Sequence, residues 1–396
     1  MPDSAATLPS RSTLGRAATG LTPLVLLGLV ILMFLRSGPA GVFQKAFPPV
    51  EDLTIERISM PAAGQIEVAV VNGGPAAVTV AQVLVDDAAW THSLDGDRTI
   101  GRLQSRRIRI PYPWVEGEPH TVKLLTSTGL IFEGTVDVAT LTPTPDSRFI
   151  STFALLGTYV GVIPVFLGLL WLPYLRTVRR RTLDFFLSLT VGLLIFLGVD
   201  ALVEAMAASG RVADGFHGTG LVLLGLAGAP LVITFVSARR RSSERSAGVH
   251  VSGLIAVAIG LHNLGEGLAV GAAYSTGAIA LGTFLVLGFL IHNTTEGLGI
   301  VAPLAHESVS LRRLVALGAI AGLPTILGAW IGGFSYSPVL TTFFFAIGAG
   351  AIAQVVVVLW RRLGSPEDGP GLAPANAMGL LLGMGVMYVT SLLVTA

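Results

Sequence analysis

From Arg148 onward the chain runs through eight apolar segments, near 149–173, 183–207, 217–237, 249–273, 278–304, 312–334, 338–360 and 374–395. No other feature restricts the fold as strongly. Stretches of about twenty apolar residues have the length of a membrane-spanning helix. Composition agrees, at 52% hydrophobic and 12% charged, where a soluble domain carries about 25% charged residues. The 48 glycines suit helices that pack closely in lipid. The expected class is an all-α polytopic membrane protein.

Loop charges orient these segments. Arg176, Arg179, Arg180 and Arg181 follow the first, and Arg239, Arg240, Arg241 and Arg245 the third. Arg312 and Arg313 follow the fifth, and Arg361 and Arg362 the seventh, while the alternate loops hold little that is basic beyond Arg211. Arginine-rich loops stay in the cytoplasm. A multi-pass protein of the plasma membrane is therefore expected, with its C-terminus outside.

The N-terminal part differs. Residues 1–20 are polar, with Arg11 and Arg16, and read as a cytoplasmic tail. Residues 21–36 hold an apolar run of about fifteen residues, near the short limit for a span. A signal peptide is the other reading, but no small-x-small cleavage site precedes Arg36. An uncleaved signal-anchor helix is expected, with nine spans in all. Residues 40–146 regain charge and alternate at Gln65–Val70, Val78–Val85, Arg106–Ile110 and Thr121–Leu125. Asn72-Gly73-Gly74-Pro75, Asp95-Gly96-Asp97 and Glu116-Gly117-Glu118-Pro119 separate these runs. The pattern predicts a small β-sandwich outside the membrane, its partner unknown. The helical part then covers 148–396.

Two copies of one pattern lie inside the fourth and fifth segments. His262-Asn263-Leu264-Gly265-Glu266-Gly267 is followed thirty residues later by His292-Asn293-Thr294-Thr295-Glu296-Gly297. In each copy His and Glu stand at i and i+4, on one helix face. A polar break around Tyr274-Ser275-Thr276-Gly277 makes the two segments an antiparallel pair, with both copies at overlapping depths. An ionisable group at membrane depth costs about 2.5–3.5 kcal/mol and marks a site or a pathway. The bland alternative is polar glue between helices, but one Asn or Ser suffices for that, at about 0.6 kcal/mol on average. Two imidazoles and two carboxylates make four ligands for a divalent cation. Without cysteine, nitrogen and oxygen donors favour Zn, Fe, Mn or Co over Cu(I). Asn263 and Asn293 can add amide oxygens. Asp200, with Glu204 at i+4 in the second segment, is placed as a third side of the site or a funnel from outside. A net charge of +1 gives no electrostatic case for nucleic acid. The histidines and aspartates of residues 86–120 are too scattered to predict a second site.

The doubled motif resembles that of the ZIP (Zrt/Irt-like) divalent-metal transporters, whose fourth helix carries His-Asn-x-Pro-Glu-Gly. The run Gly299-Ile300-Val301-Ala302-Pro303-Leu304 and the later Gly322-Leu323-Pro324-Thr325 are similar to the segments leading into their sixth helix. The resemblance covers about 149–396. It implies an eight-helix ZIP-like bundle that moves metal toward the cytoplasm, with His262, Glu266, His292 and Glu296 as main ligands. By the same resemblance, Asn263 and Asn293 would serve a second, adjacent metal position. This chain departs from the pattern at Gly265 and Thr295, where the family has proline, and at Thr325, where it often has glutamate. A single-metal site is therefore preferred. The loop between the third and fourth segments is arginine-rich rather than histidine-rich. The anchor helix and β-domain lie outside the family core.

The expectation is a transporter rather than an enzyme, with the metal ion as cargo and the lipid bilayer as surroundings. A homodimer is admissible, though no residue requires it. The rival functions are an intramembrane metal-dependent hydrolase and a metal sensor or receptor.

Overall fold

The computed structural model describes residues 13–37, 50–239, 247–275, 279–363 and 374–395. Residues 1–12, the first part of the span 40–146, Arg240, Arg241, Arg245, Thr276 and Gly277 lie outside them. The chain divides into two units, Met1–Val50 and Glu51–Ala396. The first contains helix α1 (Thr13–Ser37). Its apolar stretch, Leu21–Met33, is shorter than the spans of the second unit.

The second unit opens with nine strands: β1 (Leu53–Ala62), β2 (Gln65–Asn72), β3 (Val78–Val85), β4 (Ala88–Trp90), β5 (Ser93–Leu94), β6 (Thr99–Ile100), β7 (Ser105–Ile110), β8 (His120–Thr126) and β9 (Ile131–Val136). One sheet runs β1-β2-β7-β5; the other runs β4-β3-β8-β9, with β6 added to β3. The alternating residues of β2 and β8 turn Ile66, Val68, Val70, Val122 and Leu124 inward. There they meet Val83, Val85, Ile108 and Ile110. Fully burying such a side chain contributes about 1.5–3 kcal/mol. The four alternating runs seen in the sequence coincide with β2, β3, β7 and β8. The edge strands β1 and β9 lack that alternation in sequence, because β1 leaves most of its residues only half-buried.

The helices follow: α2 (Ser147–Gly157), a π-turn at Thr158–Val162, α3 (Ile163–Leu169), α4 (Leu172–Leu175), α5 (Arg180–Ser209), α6 (Gly218–Arg239), α7 (Ala247–Ser275), α8 (Ile279–Val301), α9 (Leu311–Ser335), α10 (Pro338–Leu363) and α11 (Pro374–Thr395). Together they give eight spans, among the described residues, long and apolar enough to cross a membrane. The molecule is thus a mostly helical membrane protein with a small β-sheet domain ahead of its helices. Val199, Val203, Leu231, Val232, Leu381 and Leu382 are exposed on the outside of the helices, a surface that suits lipid rather than water.

Two local features position the site. Pro164 has no N–H, so the carbonyl of Val160, four residues earlier, lacks its helical donor. The first span meets this with the π-turn Thr158–Val162, a device that recurs at functional sites. Helices α7 and α9 run backbone against backbone: a Cβ at Gly267 would collide with the carbonyl of Thr325 and approach Ala329 N to 3.0 Å. Only a small residue allows that approach.

Candidate metal centre

His262 and Glu266 lie on α7, and His292 and Glu296 on α8. All four are nearly inaccessible, at 3%, 1%, 4% and 4% exposure, a burial that ionisable groups tolerate only when they are paired or bind an ion. One ligand atom each from His262, Glu266 and His292 lies within 4.8 Å of the other two. His262 Nε2 donates to Glu266 Oε1 at 3.1 Å, and His292 Nε2 donates to the same oxygen. The imidazole centroids are 6.4 Å apart. Ligands round a tetrahedral ion at about 2 Å stand about 3.3 Å from one another.

Glu296, the fourth ligand expected from the sequence, lies outside this group of three. Helix geometry gives the reason. His262 lies thirteen residues before Ser275, the end of α7, and His292 thirteen after Ile279, the start of α8. The two histidines are therefore level. Glu296 starts one turn, about 6 Å, deeper. Both of its carboxylate oxygens are buried without a hydrogen-bond partner.

The asparagines sit behind the centre. Asn293 Nδ2 donates to Glu266 Oε2 at 2.8 Å and to Val160 O at 2.9 Å. The carbonyl freed by Pro164 thus anchors the amide that orients Glu266. Asn263 Nδ2 donates to Ala321 O at 3.1 Å, three residues before Pro324 in α9. With both amide nitrogens on carbonyls, the amide orientations are fixed. Both Oδ1 atoms remain buried without partners. Thr325 is fully buried and its hydroxyl also lacks a partner.

Asp200, on α5, is not in the group of three. It lines the same cavity as His262, Glu266 and His292 and lies within Coulombic range of all three. Glu204, one turn on, lines it too. The cavity measures about 870 Å³. The alternation pattern left one part of its lining unnamed: strand β1 supplies residues 54–58, and β9 with Asp137 just after it supplies residues 134–137. Val160 was equally hidden, although Pro164 was its signal. On the β-domain, His120 Nδ1 donates to Asp86 Oδ2 at 2.8 Å, as does Tyr112 OH. Among the described residues no other cluster of metal-ligating groups forms.

No protein-family model matches the chain, and no curated protein does. Among solved structures the chain is similar to the archaellum periplasmic stator protein FlaG from Sulfolobus acidocaldarius, at 11% identity, with 22% of this chain and 99% of that chain covered and a TM-score of 0.20.

Proposed function

We propose that this protein is a ZIP-like transporter that carries a divalent first-row cation, zinc first and iron, manganese or cobalt next, across the plasma membrane toward the cytoplasm. The observation that carries the reading is the buried trio His262, Glu266 and His292, with ligand atoms within 4.8 Å, midway along two apolar helices and facing a cavity. Nitrogen and carboxylate donors in that number suit zinc and its neighbours. The cation is cargo, so its ligands must release it as well as bind it. Glu266 offsets ionic charge, Asn293 holds Glu266 in place, and Asp200 draws cations along the cavity. Binding needs neutral imidazoles, so cation uptake by the site releases protons. Release inward would follow from rocking of one helix bundle against another. The arginine loops support a β-domain and C-terminus outside and an N-terminus in the cytoplasm.

The experiment is a competition titration of purified protein against a coloured zinc chelator. Wild type is expected to bind one zinc tightly, and the His262→Ala, His292→Ala variant to bind none. Equal zinc content in the two proteins would remove the site.

One observation favours a second reading. Two histidines and one glutamate beside a cavity, with the unpartnered carboxylate of Glu296 nearby, also match the ligand set of a hydrolytic zinc site. Retained zinc with no flux, and turnover of a peptide or lipid bond, would select it.

A further inference from the structure

The cavity above the metal centre has two kinds of wall. Helices α5, α7 and α8 supply Asp200, Glu204, His262, Glu266 and His292, α10 and α11 add Phe345 and Met387, and the β-domain supplies residues 54–58 and 134–137. Five consecutive residues of β1, Thr54 to Ile58, line it. A regular strand shows alternate residues to one side, so five in a row need an irregularity. It is there: Ile55 pairs with Val70 and Arg57 with Ala69, which leaves Glu56 without a partner residue in β2. Such a bulge re-aims side chains beside a site. Beside it, β9 and the residue after it contribute Gly134 to Asp137, with Gly134 packed against the side chains of Ile55 and Ile58.

The β-domain touches the helical part at two further points. Arg57 NH1 donates to Phe334 O at 3.5 Å, at the C-terminal end of α9, where free carbonyls and the helix dipole favour a cation. Elsewhere Gly73 lies against Ala213 and Asp214, in the loop between α5 and α6. A Cβ at Gly73 would stand 3.0 Å from Asp214 N and 3.1 Å from Ala213 Cβ. The domain therefore forms part of the walls of the space into which His262, Glu266 and His292 face.

We propose that the β-domain is part of the ion path itself: cations reach the metal centre from outside through a vestibule whose outer wall is the β1 bulge and β9. Divalent cations then pass Glu56 and Asp137 of the β-domain before Asp200 and Glu204 of α5. This rests on the reading of His262, Glu266 and His292 as a metal centre and extends it to the domain's role.

Because the chain has no cysteine, single thiols report on the path. Thr135→Cys and Glu56→Cys place a thiol in the vestibule, and Glu116→Cys places one on an exposed turn away from it. Each full-length variant is labelled with a bulky maleimide in detergent, and the rate and final stoichiometry of Co²⁺ loading are read from its absorbance. The expectation is loading slowed about tenfold or more by the label at residue 135 or 56, with unchanged stoichiometry and no effect at residue 116. Unchanged loading rates with labels at both residue 135 and residue 56 would overturn the path while leaving the metal centre standing. A wild-type chain that loads no Co²⁺ would instead overturn the centre, and this inference with it. A readout without metal uses Ala269→Cys, on the α7 wall of the cavity. Its modification by a small thiol reagent is expected to be slower in a chain whose Thr135 is replaced by Trp. Equal rates would also contradict the shared vestibule.

Discussion

At the scale of single residues, Glu266 is the hub. One of its oxygens takes both imidazoles and the other takes Asn293. Residues that orient a ligand are typically worth about 10–100-fold in metal affinity. Asn293→Ala is therefore expected to weaken zinc binding by about that factor without removing a ligand, as read by chelator competition. A second expectation concerns Glu56, whose carboxyl is pushed up by burial. A raised carboxylate binds its proton more tightly folded than unfolded, so stability falls as pH rises through that range. Glu56→Gln should raise the melting temperature of the full chain at pH 7–8, and the gain should vanish below the ordinary glutamate range. A gain that persists at acid pH would contradict the cause given. Much of this centre was legible in the sequence, because i and i+4 spacing on two adjacent helices fixes which side chains share a face. The exclusion of Glu296 was not, since it depends on the register between α7 and α8 rather than on either motif. The two bonds of Asn293 were hidden for a similar reason. One of them ends on a carbonyl more than a hundred residues away in sequence.

At the scale of elements, the helices were readable almost to their ends because each must satisfy its own backbone in lipid. The inner strands β2, β3, β7 and β8 were readable because each shows one face to a core. Strand β1 was not, since most of its residues are only half-buried, and β9 alternates in burial while its residues Ile131-Phe132-Glu133-Gly134-Thr135-Val136 do not alternate in polarity. The α7–α9 seam gives the test at this scale. Gly267→Leu forces a side chain into the backbone of α9, and overpacking of this kind costs about 1–3 kcal/mol. Gly228 on α6 has nothing within 4 Å of an added Cβ, so Gly228→Leu should stay within about 0.5 kcal/mol. Thermal melts of both variants in one detergent compare them directly. Equal losses would mean that the seam is not set by backbone contact.

At the scale of the whole molecule, the proposed metal centre lies within the helices, and the β-domain forms part of the wall of its cavity. Arginine distribution predicts the sidedness. A thiol at Glu118→Cys, in the turn before β8, should react with an impermeant maleimide on intact cells. One at Ser310→Cys, at the start of α9, should react only after permeabilisation; the reverse pattern would invert the topology. The central claim is that the cation held by His262, Glu266 and His292 is cargo. Uptake of Zn²⁺ into proteoliposomes with an internal fluorescent indicator tests it most directly, with wild type beside Glu266→Ala. The account predicts saturable zinc flux in wild type and a loss of about tenfold or more, about 1.4 kcal/mol, in the variant. Flux unchanged by Glu266→Ala, or a wild-type protein that binds zinc yet passes none, would contradict it.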